Sequence, residues 1–238
     1  MRNKIQILCT ICARKGSRGL RNKNVKKLNS IPLISHTILQ AKRSKLFDKI
    51  VVSSDSRKIF EISKNKVDFF VNRSKNLSGD KVSKLNVIKN TLIDSEKKFN
   101  SKFDIIVDLD VTSPLRRISD IRKALKKFLN SNSTNLISVT KARKNPYFNQ
   151  IIFKKNKPAL PCALKKNITN RQSAPKVYDL NASIYIWKRK ALLTLKKLIG
   201  HKTSTFEMPN SRSIDIDSIL EFKIVEHILK KKLFNLND

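Results

Sequence analysis

The sequence predicts an α/β fold with a doubly wound, mostly parallel sheet. Segments typical of strands and helices alternate over the first 140 of 238 residues, which favours a parallel sheet covered by helices on both faces. Several strand segments are almost continuously apolar and rich in β-branched residues, as is usual for strands buried on both faces. Ligands of such folds bind beyond the carboxyl ends of the strands.

The predicted elements follow from apolar spacing. Eight segments read as strands: 5–12, 49–54, 67–71, 104–110, 135–141, 150–154, 181–187 and 205–209. Five segments have helical spacing: 32–44, 56–64, 84–99, 118–130 and 218–233. We expect Pro32 at the first helical position of its segment, and Ser119 or Asp120 as a cap of the fourth helix.

The length favours a single domain, 1–238, with one elaboration. The alternation breaks from about Lys144 to Leu180, where prolines occur among lysines. A disordered insert is one interpretation. The apolar segments "QIIFK" and "ASIYIW" beside this region favour instead a hairpin or excursion that packs on something.

The chain carries 52 Lys and Arg against 18 Asp and Glu, a net charge of +34. Such an excess suggests a polyanion as partner, and a basic nucleic-acid-binding protein is an alternative hypothesis. The lysines are spread along the chain among many asparagines, however, which is typical of an AT-rich coding sequence. Aromatic platforms and a recognition helix are missing from the pattern, so nucleic acid is not the expected partner.

The remaining composition favours a protein of the reducing cytoplasm. Three cysteines do not form a disulfide framework, and the pair in "CTIC" is expected to face opposite sides of a strand within the core. The start of the chain lacks a usual cleavage site and is interpreted as the first strand rather than a signal peptide. No run approaches the roughly 20 apolar residues of a membrane span.

The stretch "ARKGSRGLRNKN", from Ala13 to Asn24, is a cationic loop between the first strand and a helix. It matches neither the dinucleotide fingerprint nor the Walker loop. Its glycines, its Ser17 hydroxyl and its Arg and Lys charges are nevertheless suited to phosphate. A solvated basic loop is the alternative, and the position after the first strand favours phosphate.

The stretch "RSIDID" places Asp215 and Asp217 two residues apart, so that in an extended segment both carboxylates face one way while Ile214 and Ile216 face the core. Mg²⁺ commonly takes one or two carboxylates and completes its shell with water and phosphate oxygens. A magnesium site is therefore expected here. The alternative, serious for Asp217, is a cap of the last helix.

A third stretch, "DLDVTSPLR", follows a buried strand and gathers Asp110, Thr112, Ser113 and Arg116 at its end. Such a cluster can bind a ligand, although "TSP" also begins helices routinely. The three histidines are scattered, and no nucleophilic triad is predicted.

Together with "FDKIVVSSDS" and "RQSAPKVYDLNASIYIW", these stretches resemble, in order and spacing, the acylneuraminate cytidylyltransferases. "RKNPYFN" and "NASIYIWKR" resemble most the branch that activates legionaminic acid. The resemblance implies transfer of CMP from CTP to the C2 hydroxyl of a nonulosonic acid, with release of pyrophosphate. It also implies a Rossmann-like domain whose excursion exchanges contacts across a homodimer. A cytidylyltransferase for 3-deoxy-manno-octulosonate is the nearest rival.

The resemblance also implies roles for individual residues. Nucleotide contacts fall on Arg14, Ser17, Arg18, Lys23, Asn24, Arg73 and Lys84. Of these, Arg14, Arg18 and Lys23 carry catalysis together with Asp217. Magnesium ligands fall on Asp215 and Asp217. Sugar contacts fall on Asp110, Thr112, Arg171 and Asn181.

Two departures concern the sugar side. Sialic acid enzymes commonly carry Gln where this chain has Asp110, and some relatives carry Arg where it has Asp179. A carboxylate at Asp110 repels a sugar acid unless it accepts a hydrogen bond from an amine, amide or hydroxyl. The acceptor is therefore expected to be decorated differently from plain sialic acid.

Overall fold

The structure of the protein is a computed structural model that describes residues 4–16, 19–79, 82–162 and 170–231, without the side chain of Arg171. Its centre is a seven-stranded sheet in the order β11-β7-β10-β6-β1-β4-β5. The strands of this sheet are β1 (Ile7–Cys12), β4 (Lys49–Ser54), β5 (Phe69–Asn72), β6 (Ile105–Leu109), β7 (Asn135–Lys141), β10 (Tyr178–Lys188) and β11 (Thr203–Glu207).

All neighbours in the sheet pair in parallel except β10, which is antiparallel to both β6 and β7. The carboxyl ends of β1, β4, β6 and β7 therefore meet at one edge of the sheet. The prediction of a doubly wound, mostly parallel sheet is confirmed.

Helices cover both faces. They are α1 (Leu33–Ser44), α2 (Arg57–Ser63), α3 (Lys84–Phe99), α4 (Ile118–Leu129), α5 (Arg189–Thr194) and α6 (Ile219–Lys230). One hydrophobic core packs α1, α4 and α6 on the sheet through residues such as Ile38, Ile121 and Phe222. A second packs α3 and α5 on the opposite face through Leu92 and Leu192.

Local side-chain caps explain where several helices begin. The Ser83 hydroxyl accepts the Asn86 N–H at 3.2 Å at the start of α3, and the Ser218 hydroxyl accepts the Leu220 N–H at 3.1 Å at the start of α6. Because Ser218 caps α6, the interpretation of Asp217 as its cap is wrong. In α4 the residue before the helix is Arg117, and Asp120 accepts the Arg117 N–H at 2.9 Å, so Ser119 is not the cap.

Some predicted bounds need correction. Pro32 precedes α1 rather than opening it, because it pairs with Lys27 in a two-stranded ribbon of β2 (Lys27–Leu28) and β3 (Ile31–Pro32). Strand β10 begins three residues before the predicted start at Asn181. The helix α5 was not predicted, because six residues carry too little apolar periodicity.

The region of about 144–180 contains a small hairpin of β8 (Ile152–Lys154) and β9 (Lys157–Ala159). It exposes apolar side chains, with Phe153 72% and Ile151 59% accessible. Residues 163–169 lie outside the described part of the chain, so the contacts of the excursion are described only in part.

Cys9 packs in the core of one sheet face and Cys12 against the core of the other, as the strand alternation predicts. Burial raises the pKa of both thiols. Among the described residues, none of the helices is both long enough and apolar enough to span a bilayer.

Candidate active site

Three adjoining clefts open at the carboxyl edge of β1, β4 and β6, and Arg14 lines all of them. The central cleft, about 480 Å³, is lined by Cys12, Arg14, Gly19, Lys23, Asn24, Asp110, Thr112, Asp215 and Asp217. The inner cleft, about 250 Å³, is lined by Cys12, Arg14, Arg73, Leu77, Ser78, Gly79, Val82, Lys84, Val87 and Asp110. The cationic cleft, about 480 Å³, is lined by Arg14, Lys15, Arg21, Asn22, Asn24, Val25, Asp55, Ser56, Arg57, Lys58 and Ile59.

The central cleft joins the cationic loop to the segment before α6. The Lys23 ammonium lies 2.7 Å from Asp217 Oδ1, with the lysine side chain 9% and the aspartate side chain 74% exposed. Lys23 is therefore held by the fold while Asp217 faces the cleft. The two sequence features that suggested phosphate and metal thus lie in one site.

Asp215 lies deeper in the same wall. Its Oδ1 atom is buried and has no hydrogen-bond partner among the described residues. Burial raises the pKa of Asp215 to about 6, the Thr112 side chain acts in the opposite direction, and the charges of Asp110 and Asp217 add to the rise. A buried carboxylate oxygen without a donor is suited to a cation.

The backbone of this acidic segment is fixed from two sides. The Ile216 N–H donates to the Thr112 carbonyl at 2.9 Å, and the Ile216 side chain is fully buried. The predicted alternation, with Ile216 inward and both carboxylates on the cleft side, is confirmed. On the other side, a Cβ atom at Gly19 would stand 2.1 Å from the Asp217 carbonyl oxygen, so only glycine fits there.

The described residues of the cationic loop are held by hydrogen bonds to the loop's own backbone and to the residue that follows β4. The buried Asn24 amide donates to the Arg14 carbonyl at 3.0 Å, and the Lys15 N–H donates to Asp55 Oδ1 at 2.7 Å. Lys15 and Arg21 line the cationic cleft together with Arg57 and Lys58. Nothing in the residue pattern indicated that α2 supplies two further cations to this cleft.

Between the central and inner clefts lies a charged group that sequence reasoning identified only in part. The Lys84 ammonium lies 2.5 Å from Asp110 Oδ2 and 2.9 Å from Asp108 Oδ2. Asp108 is fully buried and its Oδ1 accepts the Thr10 hydroxyl at 2.7 Å. Alternation along β6 puts Asp108 and Asp110 on one face, which is the signal that would have identified Asp108.

The charges in this group stabilise one another. Burial lowers the pKa of Lys84, but Asp108 and Asp110 outweigh it, so this pKa lies well above its ordinary value. Burial raises the pKa of Asp110, but the combined effect of Lys84 and of the Thr112 N–H and hydroxyl is larger and lowers it. The pKa of Asp110 therefore lies below its ordinary value. Asp110 therefore reaches the cleft as a carboxylate that is already paired.

Arg73 lines the inner cleft and is itself buried, with 8% exposed. Its Nη2 donates to the Ser53 carbonyl at 2.9 Å, and its backbone N–H donates to the Ser54 carbonyl at 2.9 Å. Both contacts tie the segment after β5 to the end of β4. The inner cleft is thus bounded by a fixed arginine on one side and Lys84 on the other.

Arg116 is a functional neighbour whose burial the sequence did not reveal. Its guanidinium is fully buried and donates to the Ser183 carbonyl at 2.7 Å and to Gln40 Oε1 at 2.9 Å. It also donates to the Asp110 carbonyl at 3.3 Å. Burial lowers the pKa of Arg116 to about 10. This arginine holds the turn after β6 that presents Asp110 and Thr112.

The remaining predicted site residues, Asn181, Arg171, Ser17 and Arg18, do not line the three clefts as far as the structure describes them. Asn181 is buried away from the cleft linings; its amide accepts from the Ser138 hydroxyl at 2.6 Å and donates to the Ser213 hydroxyl at 3.0 Å. It thereby braces the segment that carries Asp215. Arg171 begins a short 3-10 turn. Ser17 and Arg18 lie outside the described residues.

An apolar cavity of about 250 Å³ lies behind Lys84, on the α3 face of the sheet. It is lined by Ser83, Lys84, Leu85, Ile88, Tyr185, Trp187, Lys196 and Leu198. The rings of Tyr185 and Trp187 stack at 5.8 Å, and the buried Trp187 indole N–H has no acceptor among the described residues. Lys84 lies 4.4 Å from the Tyr185 ring centre and separates this cavity from the inner cleft.

The chain is similar to known proteins over almost its whole length. The protein is 44% identical over 234 residues to CMP-N,N'-diacetyllegionaminic acid synthase of Campylobacter jejuni. The aligned residues cover 98% of this chain and 99% of the relative. Post-translational flagellin modification protein B of Campylobacter coli is equally similar, at 44% identity over the same shares of both chains. An N-acylneuraminate cytidylyltransferase of Streptococcus agalactiae is 31% identical over 93% of this chain and 53% of the relative.

Among solved structures, CMP:2-keto-3-deoxy-manno-octonic acid synthetase complexed with CTP superposes with a TM-score of 0.68 over 95% of this chain and 99% of that chain. At 15% identity this likeness concerns the fold, which is Rossmann-like as expected. The family model described as cytidylyltransferase matches residues 8–228, which include the cationic loop, the Lys84 group and the acidic pair. The chain belongs to the cytidylyltransferase family.

Proposed function

We propose that the protein transfers CMP from CTP to the C2 hydroxyl of a nonulosonic acid of the legionaminic or sialic acid type and releases pyrophosphate. The observation that supports this most is the contact of Lys23 with Asp217, which unites a phosphate-binding loop and a carboxylate pair in one cleft. The printed names of the most similar relatives point to the same acceptor class.

The nucleotide occupies the central and inner clefts. Arg14 and Lys23 face the triphosphate, with Ser17 and Arg18 of the same loop proposed as further partners. Arg73 and Lys84 bound the inner cleft of about 250 Å³, which is proposed to receive the cytosine and ribose. The loop cations offset the charge that grows on the leaving pyrophosphate, and this accounts for most of the catalysis expected of a phosphoryl-transfer site.

The acidic pair fits a magnesium ion. The buried Asp215 oxygen without a donor and the exposed Asp217 carboxylate supply two hard ligands on one face. Asp215 and Asp217 would hold the ion, and no group of three or more His, Cys, Asp or Glu side chains with metal-binding geometry occurs among the described residues. Such an ion, when bound, neutralises phosphate charge and lowers the pKa of a hydroxyl next to it.

Chemistry at this site needs no covalent enzyme intermediate. The C2 hydroxyl oxygen bonds to the α-phosphorus, the bond from that phosphorus to the bridging oxygen breaks, and pyrophosphate leaves with the electron pair while the hydroxyl proton is released. Arg14 and Lys23 orient the phosphates for this in-line displacement, and Lys23 keeps Asp217 in place before substrate arrives.

The sugar acid is proposed to approach over Asp110 and Thr112, with Arg171 and Asn181 as further candidates. Because Lys84 neutralises Asp110, the carboxylate does not simply repel an acid; it accepts a hydrogen bond from an N–H or O–H group of the acceptor. An N-acylated acceptor would offer such an N–H group.

We further propose that the protein acts as a cytoplasmic homodimer. The hairpin of β8 and β9 exposes Phe153, and the flanking Ile151 and Leu160 are exposed as well. Exposed apolar clusters of this kind commonly mark an interface with another chain. The position of the hairpin, between the end of β7 and the start of β10, would let a partner approach the sugar side of the cleft.

The decisive experiment is incubation of the protein with CTP, Mg²⁺ and a panel of sialic, legionaminic and pseudaminic acids and 3-deoxy-manno-octulosonate. We expect pyrophosphate and a CMP-sugar with at least one nonulosonic acid, detected by mass spectrometry. If a CMP-sugar forms only with 3-deoxy-manno-octulosonate, the acceptor is this eight-carbon acid and not a nonulosonic acid. No product with any acid, from protein with a cooperative unfolding transition, would refute the proposal.

A further inference from the structure

The cationic cleft lies beside the proposed reaction centre and not within it. It shares Arg14 and Asn24 with the central cleft, but neither Asp215 nor Asp217 reaches it. Five of its lining side chains are cations: Arg14 and Lys15 at the start of the loop, Arg21 further along it, and Arg57 and Lys58 from α2. Two elements that are distant in sequence thus face each other with like charge.

The only acid in the described lining does not cancel this charge. Asp55 is half-buried, and its Oδ1 accepts the Lys15 N–H at 2.7 Å. Arg57 is positioned by neighbours of its own helix, with Nε 3.0 Å from Glu61 and its guanidinium carbon 5.3 Å from the centre of the Phe60 ring. With five cations and one acid in its described lining, the cleft is net positive. A cleft of this kind attracts multivalent anions.

The dimensions and position of the cleft restrict that anion. Its volume of about 480 Å³ equals that of the central cleft, and Lys15, Arg21, Arg57 and Lys58 are all solvent-exposed. It is therefore open to solvent and adjoins the central cleft at Arg14 and Asn24, which line both. A small polyphosphate released at the centre would meet these cations on leaving.

We propose that the cationic cleft is a second anion site that receives inorganic pyrophosphate, with Arg57 and Lys58 of α2 as its outer wall. The proposal rests on the proposed function for the identity of the anion, because CMP transfer from CTP yields pyrophosphate. Its consequence is that α2 governs how tightly the product is held. Release of product limits turnover in many enzymes, so this wall bears on the rate.

The test is calorimetric titration of inorganic pyrophosphate into the wild-type protein and the double variant Arg57→Gln/Lys58→Gln. We expect the double variant to bind pyrophosphate about fivefold to tenfold more weakly at low salt, since each exposed charge partner contributes a modest amount. The difference should shrink as salt is raised. The matched control is Lys126→Gln/Lys127→Gln on α4, an exposed cation pair outside the three clefts; it should bind like the wild type.

Equal binding by all three proteins would overturn the proposal, and so would equal weakening in both variants, which would mean only general charge attraction. The outcome is separable from the proposed function. If the wild type makes a CMP-sugar while the α2 variant binds pyrophosphate normally, the function stands and this inference fails. If no acceptor is activated but pyrophosphate binding is lost selectively in the α2 variant, the anion site stands alone.

Discussion

Gly19 packs so tightly on the backbone of Asp217 that a methyl group in place of its hydrogen would stand 2.1 Å from the Asp217 carbonyl oxygen. Gly19→Ala should therefore push the cationic loop away from the acidic segment, destabilise the protein by about 1–3 kcal/mol and reduce activity more than tenfold. Gly16→Ala is the control, because nothing lies within 4 Å of a Cβ there. Steady-state kinetics and urea unfolding measure both; equal behaviour of the two variants would contradict the packing argument.

Replacing Asp217 by Asn removes the negative charge beside Lys23 and one proposed metal ligand. We expect kcat to fall about 10²- to 10³-fold, by analogy with loss of a transition-state charge partner. The Asp217 side chain is 74% exposed, so the thermal midpoint should hardly change. Glu226→Gln, which breaks the ion pair with Lys223 on α6, should keep full turnover. Full activity of Asp217→Asn with Mg²⁺ would remove the metal assignment.

The raised pKa of Asp215 predicts that the free energy of unfolding falls as the pH rises. Its pKa is raised from 3.8 to about 6 in the folded protein, mainly by burial, so ionising it destabilises the fold as the pH rises from about 4 to 6. Without divalent ions, Asp215→Asn should therefore be about 2 kcal/mol more stable than the wild type at pH 8 and equally stable at pH 4. Urea unfolding at both pH values checks this. A variant that is less stable at pH 8 would show that Asp215 makes contacts that outweigh its burial.

Arg116 should be a strong determinant of stability. Arg116→Met keeps most of the volume but leaves Gln40 Oε1 without this donor and the Ser183 carbonyl with only the Asp110 N–H. We expect a loss of about 3–5 kcal/mol in the free energy of unfolding. Arg122→Met, at an exposed position of α4, should change it by less than about 0.5 kcal/mol. Chemical denaturation distinguishes the two, and a small effect at Arg116 would mean that the turn after β6 is held by other contacts.

The exposed hairpin predicts the oligomeric state. Phe153→Asp places a charge on its most exposed apolar side chain, 72% accessible, and should convert the expected dimer to a monomer in light scattering. Ile199→Asp, at an apolar side chain 59% accessible outside the hairpin, should leave the dimer intact. A wild-type protein that is already monomeric would refute the homodimer.

Strands buried on both faces and the long periodic helix α3 were predictable, because their patterns are long and unmixed; the predicted bounds 84–99 of α3 are those observed. The placement of Asp215 on the cleft side could be predicted, because alternation sorts Asp215 and Ile216 onto opposite sides. That the acidic segment meets the cationic loop was implied by the family resemblance. Arg57, Lys58 and Arg116 could not be assigned in this way. Whether an arginine is buried or lines a cleft depends on which distant segments meet, and residue spacing along one element does not carry that information.

The separation of 194 positions between Lys23 and Asp217 along the chain also bears on biosynthesis. While the protein is being made, the cationic loop leaves the ribosome long before the acidic segment exists, since synthesis proceeds at roughly 5–20 residues per second. For that interval the loop cations lack the carboxylate that balances Lys23. A nascent chain stalled before residue 215 should be unable to form a complete nucleotide site, however well its first strands and helices have formed.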